Sequence, residues 1–200
     1  MNNKIMFGMG GLIIGVVLVS VLSPATGYRS MMFGNQTRSI GNTNQINKHF
    51  IEQMIPHHEG AMVMAQLAFS KAVHPEIKTL AGAIIEAQNK EIADMRSWHK
   101  DWFNKDVFRA GVSMMGGGMM SGGGMHMGGQ EDVQTLINAA DFDKAFIEAM
   151  IPHHQLAVMM AQMLKSGTSR PEMLTLANNI IESQSKEITE MQGWYKSWYK

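Results

Sequence analysis

Phe50-Ile51-Glu52-Gln53-Met54-Ile55-Pro56-His57-His58 recurs as Phe146-Ile147-Glu148-Ala149-Met150-Ile151-Pro152-His153-His154, at an offset of 96 residues. The same spacing relates Met64-Ala65-Gln66 to Met160-Ala161-Gln162, Pro75-Glu76 to Pro171-Glu172 and Ile84-Ile85-Glu86 to Ile180-Ile181-Glu182. It also relates Glu91-Ile92, Met95, Trp98 and Trp102 to Glu187-Ile188, Met191, Trp194 and Trp198. An internal duplication accounts for this. Each unit reads as two helices. In the first unit Ala, Leu, Met and Gln fill 44–70, and the pattern stops near Lys71-Ala72-Val73-His74. Pro75 suits the first turn of the next helix, where its missing N–H is no loss. That second helix runs to about Trp102. Pro56 and Pro152 either kink a helix or begin one, and the sequence leaves both open. The expected fold is all-α: a four-helix bundle built from two duplicated helical hairpins, preceded by a hydrophobic segment.

The remainder of the chain falls around these units. Residues 1–23 hold Lys4 and an apolar run from Ile5 to Leu22, which reads as a signal peptide or a membrane anchor. Either reading places the rest of the chain outside the cytoplasm, periplasmic or secreted, with an inner-membrane anchor if the segment is kept. Residues 24–43 are polar and lack periodicity, and read as a linker. The first hairpin repeat spans 44–103 and the second 140–200, with 104–139 as a Gly/Met-rich loop between them. The chain carries 17 basic and 17 acidic residues, so nothing in its charge calls for nucleic acid. It has no cysteine, which excludes disulfides and thiolate metal sites, and its 21 methionines ask for an explanation.

Chemistry enters with the His pairs. At about 100° per residue, Phe50, Ile51, Met54, His58, Ala61, Met62, Ala65 and Ala68 form one stripe. His58 lies inside that apolar stripe and His57 at its edge. Met54 is one turn before His58, about 5–6 Å away, close enough to share an ion. With the hairpin turn near residues 72 and 73, Met54 lies opposite Glu91, and Met95 is one turn beyond. The duplication repeats the set as Met150, His153, His154 and Met191. Thioether sulfur is soft and imidazole borderline, a combination that favours Cu(I), with Ag(I) as a mimic, over Mg, Ca or Mn. Zinc would normally draw on Cys, His and carboxylate, and no H-E-x-x-H is present.

Other methionines divide into two groups. Met62, Met159, Met163 and Met173 are read as core fillers, and Met64 as core or a separate site. Met114, Met115, Met119, Met120, Met125 and Met127, with His126, lie in a glycine segment that has little core to join. They are expected to capture metal, and Met31-Met32 is a weaker echo. The four Trp residues at i,i+4 spacing are expected to seal the bundle ends.

The pattern M-I-P-H-H-x-x-A-x-x-M-A followed by E-I-x-x-M resembles a ferritin-like family long labelled a domain of unknown function. Two such units, a Met-rich stretch and an exported N-terminus resemble its cyanobacterial periplasmic copper-resistance members. The resemblance implies copper binding and copper tolerance, with ligand roles for Met54, His57, His58 and Met95 and for Met150, His153, His154 and Met191. One departure is Asn47, where the second repeat has the family's acidic residue, Asp143.

The expected function is a copper-binding protein that sequesters or transfers Cu(I), not an enzyme. Its partners would be copper ions and either a copper efflux system or a membrane sensor kinase. The membrane is met only through the N-terminal segment if that is uncleaved. The alternatives are a ferritin-like metal-dependent oxidase and a copper-responsive adaptor of a sensor kinase. Di-iron bundles use Glu-x-x-His pairs, and no His here has Glu three residues before it.

Overall fold

In a computed structural model the structure describes residues 33–107 and 130–200, with side chains over 43–107 and 133–200. Five helices follow in order: α1 (Phe33–Lys71), α2 (Pro75–Phe103), α3 (Gln130–Asn138), α4 (Phe142–Gly167) and α5 (Pro171–Tyr199). Pro75 and Pro171 each open a helix, as expected, and Asp141 caps α4 by accepting from the Lys144 backbone N–H at 3.0 Å. The α2 helix ends on Asn104, whose φ of 51° is left-handed.

The hairpins α1–α2 and α4–α5 pack through α1 against α4, and the short α3 lies on α4 and α1. Two apolar clusters show how the hairpins meet. Phe50, Ile51, Met54, Ile92 and Met95 pack with Ala157, Ala161, Leu164, Met173 and Ile180. Ala61, Met64, Ala65, Ile77 and Ile84 pack with Phe146, Ile147, Met150 and Met191. The start of each unit thus lies against the turn of the other, and α1 and α4 run antiparallel. The repeats are related by a pseudo-twofold axis near the middle of the bundle.

Two boundaries differ from the sequence expectation. The helix α1 already runs from Phe33, inside the stretch read as a linker. Likewise α3 lies inside the stretch 104–139 read as loop, where Leu136 is buried in the core. A helix of nine residues shows too little periodicity to stand out beside the glycines before it. Pro56 and Pro152 are inside α1 and α4, so each removes a helical hydrogen bond just before a His pair.

The bundle ends are asymmetric. At one end Asp143 accepts from Val73 N (3.0 Å) and His74 N (2.8 Å), and its Oδ2 lies 2.6 Å from His74 Nδ1. His74 stacks on Trp198 with ring centroids 3.7 Å apart. This clamp ties the first hairpin's turn to the second repeat, which gives the acidic position its role. At the mirror end Arg170 lies over Trp102, 4.0 Å from the ring centroid, and Asn47 replaces the carboxylate. Asn47 is fully buried, and neither of its side-chain polar atoms has a hydrogen-bond partner. We expect Asp143→Ala to cost about 2–3 kcal/mol, because two backbone donors of the hairpin turn and the His74 ring lose a buried, charged acceptor. Asn47→Ala should cost under about 1 kcal/mol, since an unpaired amide leaves with it. Chemical denaturation of both variants checks this, and equal losses would count against the clamp.

Candidate metal centre

Eight side chains singled out in the sequence gather in the bundle interior. Met54, His57, His58, Met95, Met150, His154 and Met191 are 0% exposed and His153 1%. Met54 and Met95 share one apolar cluster, Met150 and Met191 the other. The residues of 114–127, and Met31-Met32, lie outside the described residues.

The His residues make a row across the middle of the bundle. His57 and His153 face each other across the α1–α4 contact, with ring centroids 3.7 Å apart. His57 is 6.2 Å from His58, and His153 is 6.3 Å from His154, centroid to centroid. The outer His residues then meet the flanking helices. His58 Nε2 donates to Glu91 Oε2 of α2 at 2.7 Å, and His154 Nε2 to Glu187 Oε2 of α5 at 2.6 Å.

This geometry corrects one expectation. His57 and His153 are not at the edge of the buried face; they meet at the α1–α4 contact in the middle of the bundle. Adjacent residues on a helix point about 100° apart. On α1 that step separates His58, which faces α2, from His57, which faces α4. A stripe drawn for a single hairpin contains the first contact only. The two Glu residues were not among the sequence-derived site residues, although the hairpin register placed Glu91 opposite Met54.

Burial governs the electrostatics of the central histidine. Neither ring nitrogen of His57 has a hydrogen-bond partner, and the Nδ1 atoms of His58 and His154 are likewise buried without one. Burial lowers the His57 pKa from 6.5 to about 3, helped by the nearby His58 and His154 and opposed by the His153 backbone. His57 is therefore neutral at pH 7, with a lone pair to offer. Buried nitrogens without partners are destabilising in the absence of a ligand. Among the described residues no three His, Asp or Glu side chains are grouped to hold an ion by themselves.

Of the methionines read as core fillers, Met173 is buried and Met62 half-buried, and Met64 also joins the core. Met159 and Met163 are instead 44% and 68% exposed. Leu164 and Ala161 take the inward positions there, and apolar character alone did not tell the faces apart. The Trp pairs stack along α2 and α5 at the bundle ends, with centroids 5.7 Å apart in each. Among the described residues no helix is long and apolar enough to cross a membrane, and the apolar run 5–22 lies outside them.

Fold and site together define a duplicated all-α bundle with a central His57–His153 pair, flanked by His58 and His154, and four fully buried methionines divided between two apolar clusters. The chain belongs to the family described as domain of unknown function DUF305, whose model matches residues 47–195. It is similar to CopM in its Cu(II)-bound form, at 48% identity and a TM-score of 0.68, over 76% of this chain and 97% of that one. The Cu(I)-bound form of CopM matches at 44% identity and a TM-score of 0.64, over 77% of this chain and 98% of that one. CopM soaked with Ag matches at 44% and 0.65, over 77% and 97%. An uncharacterized protein of Acanthamoeba polyphaga mimivirus is 43% identical over 51 residues, 26% of this chain, which spans 34% of that protein.

Proposed function

We propose that this protein binds Cu(I), with Ag(I) as a mimic, at two sites in the bundle interior. One is formed by Met54, His57, His58 and Met95, the other by Met150, His153, His154 and Met191. The observation that carries this reading is a core that fully buries Met54, Met95, Met150 and Met191 together with the ring nitrogens of His57 and the Nδ1 atoms of His58 and His154, none of which has a hydrogen-bond partner. Soft and borderline donors in a buried interior suit a monovalent soft cation, which brings less charge into the core than a divalent one. The similarity to CopM, which is known in Cu(I)-, Cu(II)- and Ag-bound forms, supports the same metal.

The role consistent with such sites is copper tolerance: sequestering Cu(I) or passing it on, by binding and not by catalysis. We place it in the periplasm, because the apolar run 5–22 reads as an export segment. The thioethers of 114–127 would capture ions ahead of the interior sites. A copper efflux system or a sensor kinase would be the receiving partner.

Anaerobic Cu(I) titration against a competing chelator tests the site assignment. The wild type should take up two tight equivalents. His57→Ala/His58→Ala should lose one, and His153→Ala/His154→Ala the other. Deleting 114–127 should slow uptake and leave both in place. Unchanged stoichiometry in both histidine variants would sink the assignment.

A further inference from the structure

We infer that Glu91 and Glu187 are positioning residues, each fixing its histidine through Nε2–H so that Nδ1 is the nitrogen presented to the cation. This rests on the copper reading above. The evidence is geometric and comes twice. The two contacts are 2.7 and 2.6 Å, and in both pairs the histidine side chain is 0% and the glutamate 16% exposed. In both, Nδ1 of the same ring is buried and has no partner. A carboxylate accepts hydrogen bonds and has none to give when ionised. In the neutral ring the proton therefore sits on Nε2, and the lone pair on Nδ1. A ring held from one side by a carboxylate and offering its other nitrogen is the usual arrangement behind a metal-bound imidazole.

The register of α2 and α5 supports the same division of labour. Glu91 and Met95 are four residues apart on α2, as are Glu187 and Met191 on α5. Such residues are neighbours on one helix face. One face thus carries both the carboxylate that orients the imidazole and the thioether proposed to bind beside it. The carboxylate itself is a poor direct ligand for a soft monovalent ion. Glu187 also lines a surface groove between α2 and α5, together with Leu80, Ala83, Lys186 and Glu190.

Long-range 1H–15N spectra of the metal-free protein read the tautomers directly. The wild type should show His58 and His154 as Nε2–H. In Glu91→Gln/Glu187→Gln the tautomers should become mixed, because an amide can donate as well as accept. In the same variant, Cu(I) competition titration should give an affinity lower by about 10–100-fold with stoichiometry unchanged. An Nδ1–H tautomer in the wild type overturns the inference without any use of metal. So does an affinity in the Gln variant within about twofold of wild type. A wild type that binds no Cu(I) overturns the copper reading and this inference with it. Copper binding that ignores the Gln substitutions overturns this inference alone.

Discussion

Replacing His57 with leucine should stabilise the metal-free protein by about 1–3 kcal/mol at pH 7.5, while weakening Cu(I) binding by at least about tenfold. The two effects have one cause. His57 is 0% exposed, and neither of its ring nitrogens has a hydrogen-bond partner. Burying an unpaired polar group is unfavourable, so an apolar side chain of similar size relieves the fold. His57 lies at the α1–α4 contact against the His153 ring, in the buried interior of the bundle. The same unpaired nitrogen is what a cation would use. Denaturant unfolding of the metal-free protein measures the first effect, and chelator competition the second. A leucine variant that is markedly less stable would mean that His57 is a packing element, and the assignment of its nitrogen to metal would lose its main support. Because the His57 and His153 rings are 3.7 Å apart, the two sites adjoin. Effects of substituting both should therefore depart from additivity.

That central contact also shows where the sequence was legible and where it was not. The repeat of Met54-Ile55-Pro56-His57-His58 as Met150-Ile151-Pro152-His153-His154 was enough for a duplicated hairpin. The turn near Val73 gave the register that sets Met54 near Glu91. His58 was correctly drawn inside the apolar stripe, because its partner helix is the one next in sequence. His57 was misplaced, because its neighbour, α4, is supplied by the other repeat. Helix α1 is buried on two sides, and a single stripe describes one of them. Met163 failed for a related reason: methionine counts as apolar in any periodicity, yet this one is 68% exposed. The clamp of Asp143 on Val73 and His74 could not be foreseen either, since its partners are about 70 residues apart and the contact exists only after the hairpins pair.

Acidification should destabilise the metal-free protein steeply, and the His57→Leu variant should be spared much of that loss. The sign comes from proton binding. In the folded protein the His57 pKa is lowered to about 3, mainly by burial. In the unfolded chain it returns to about 6.5. Between those values the unfolded state holds a proton that the folded state lacks. Stability at His57 is thus intact above about pH 6.5 and falls as pH drops toward 3, where the loss levels off. Each pH unit inside the window is worth about 1.4 kcal/mol from this one group. The gap between His57→Leu and wild type should therefore widen as pH falls from 6.5 to 4.5, by about 2–3 kcal/mol. Denaturation curves at several pH values measure it. Parallel pH profiles for the two proteins would show that His57 is not held neutral in the core. Copper should shift the same profile: a ligand that binds the folded state stabilises it by mass action. Saturating Cu(I) should accordingly protect the wild type at pH 5.5 far more than it protects His57→Leu, which has lost one of the nitrogens proposed to hold the ion.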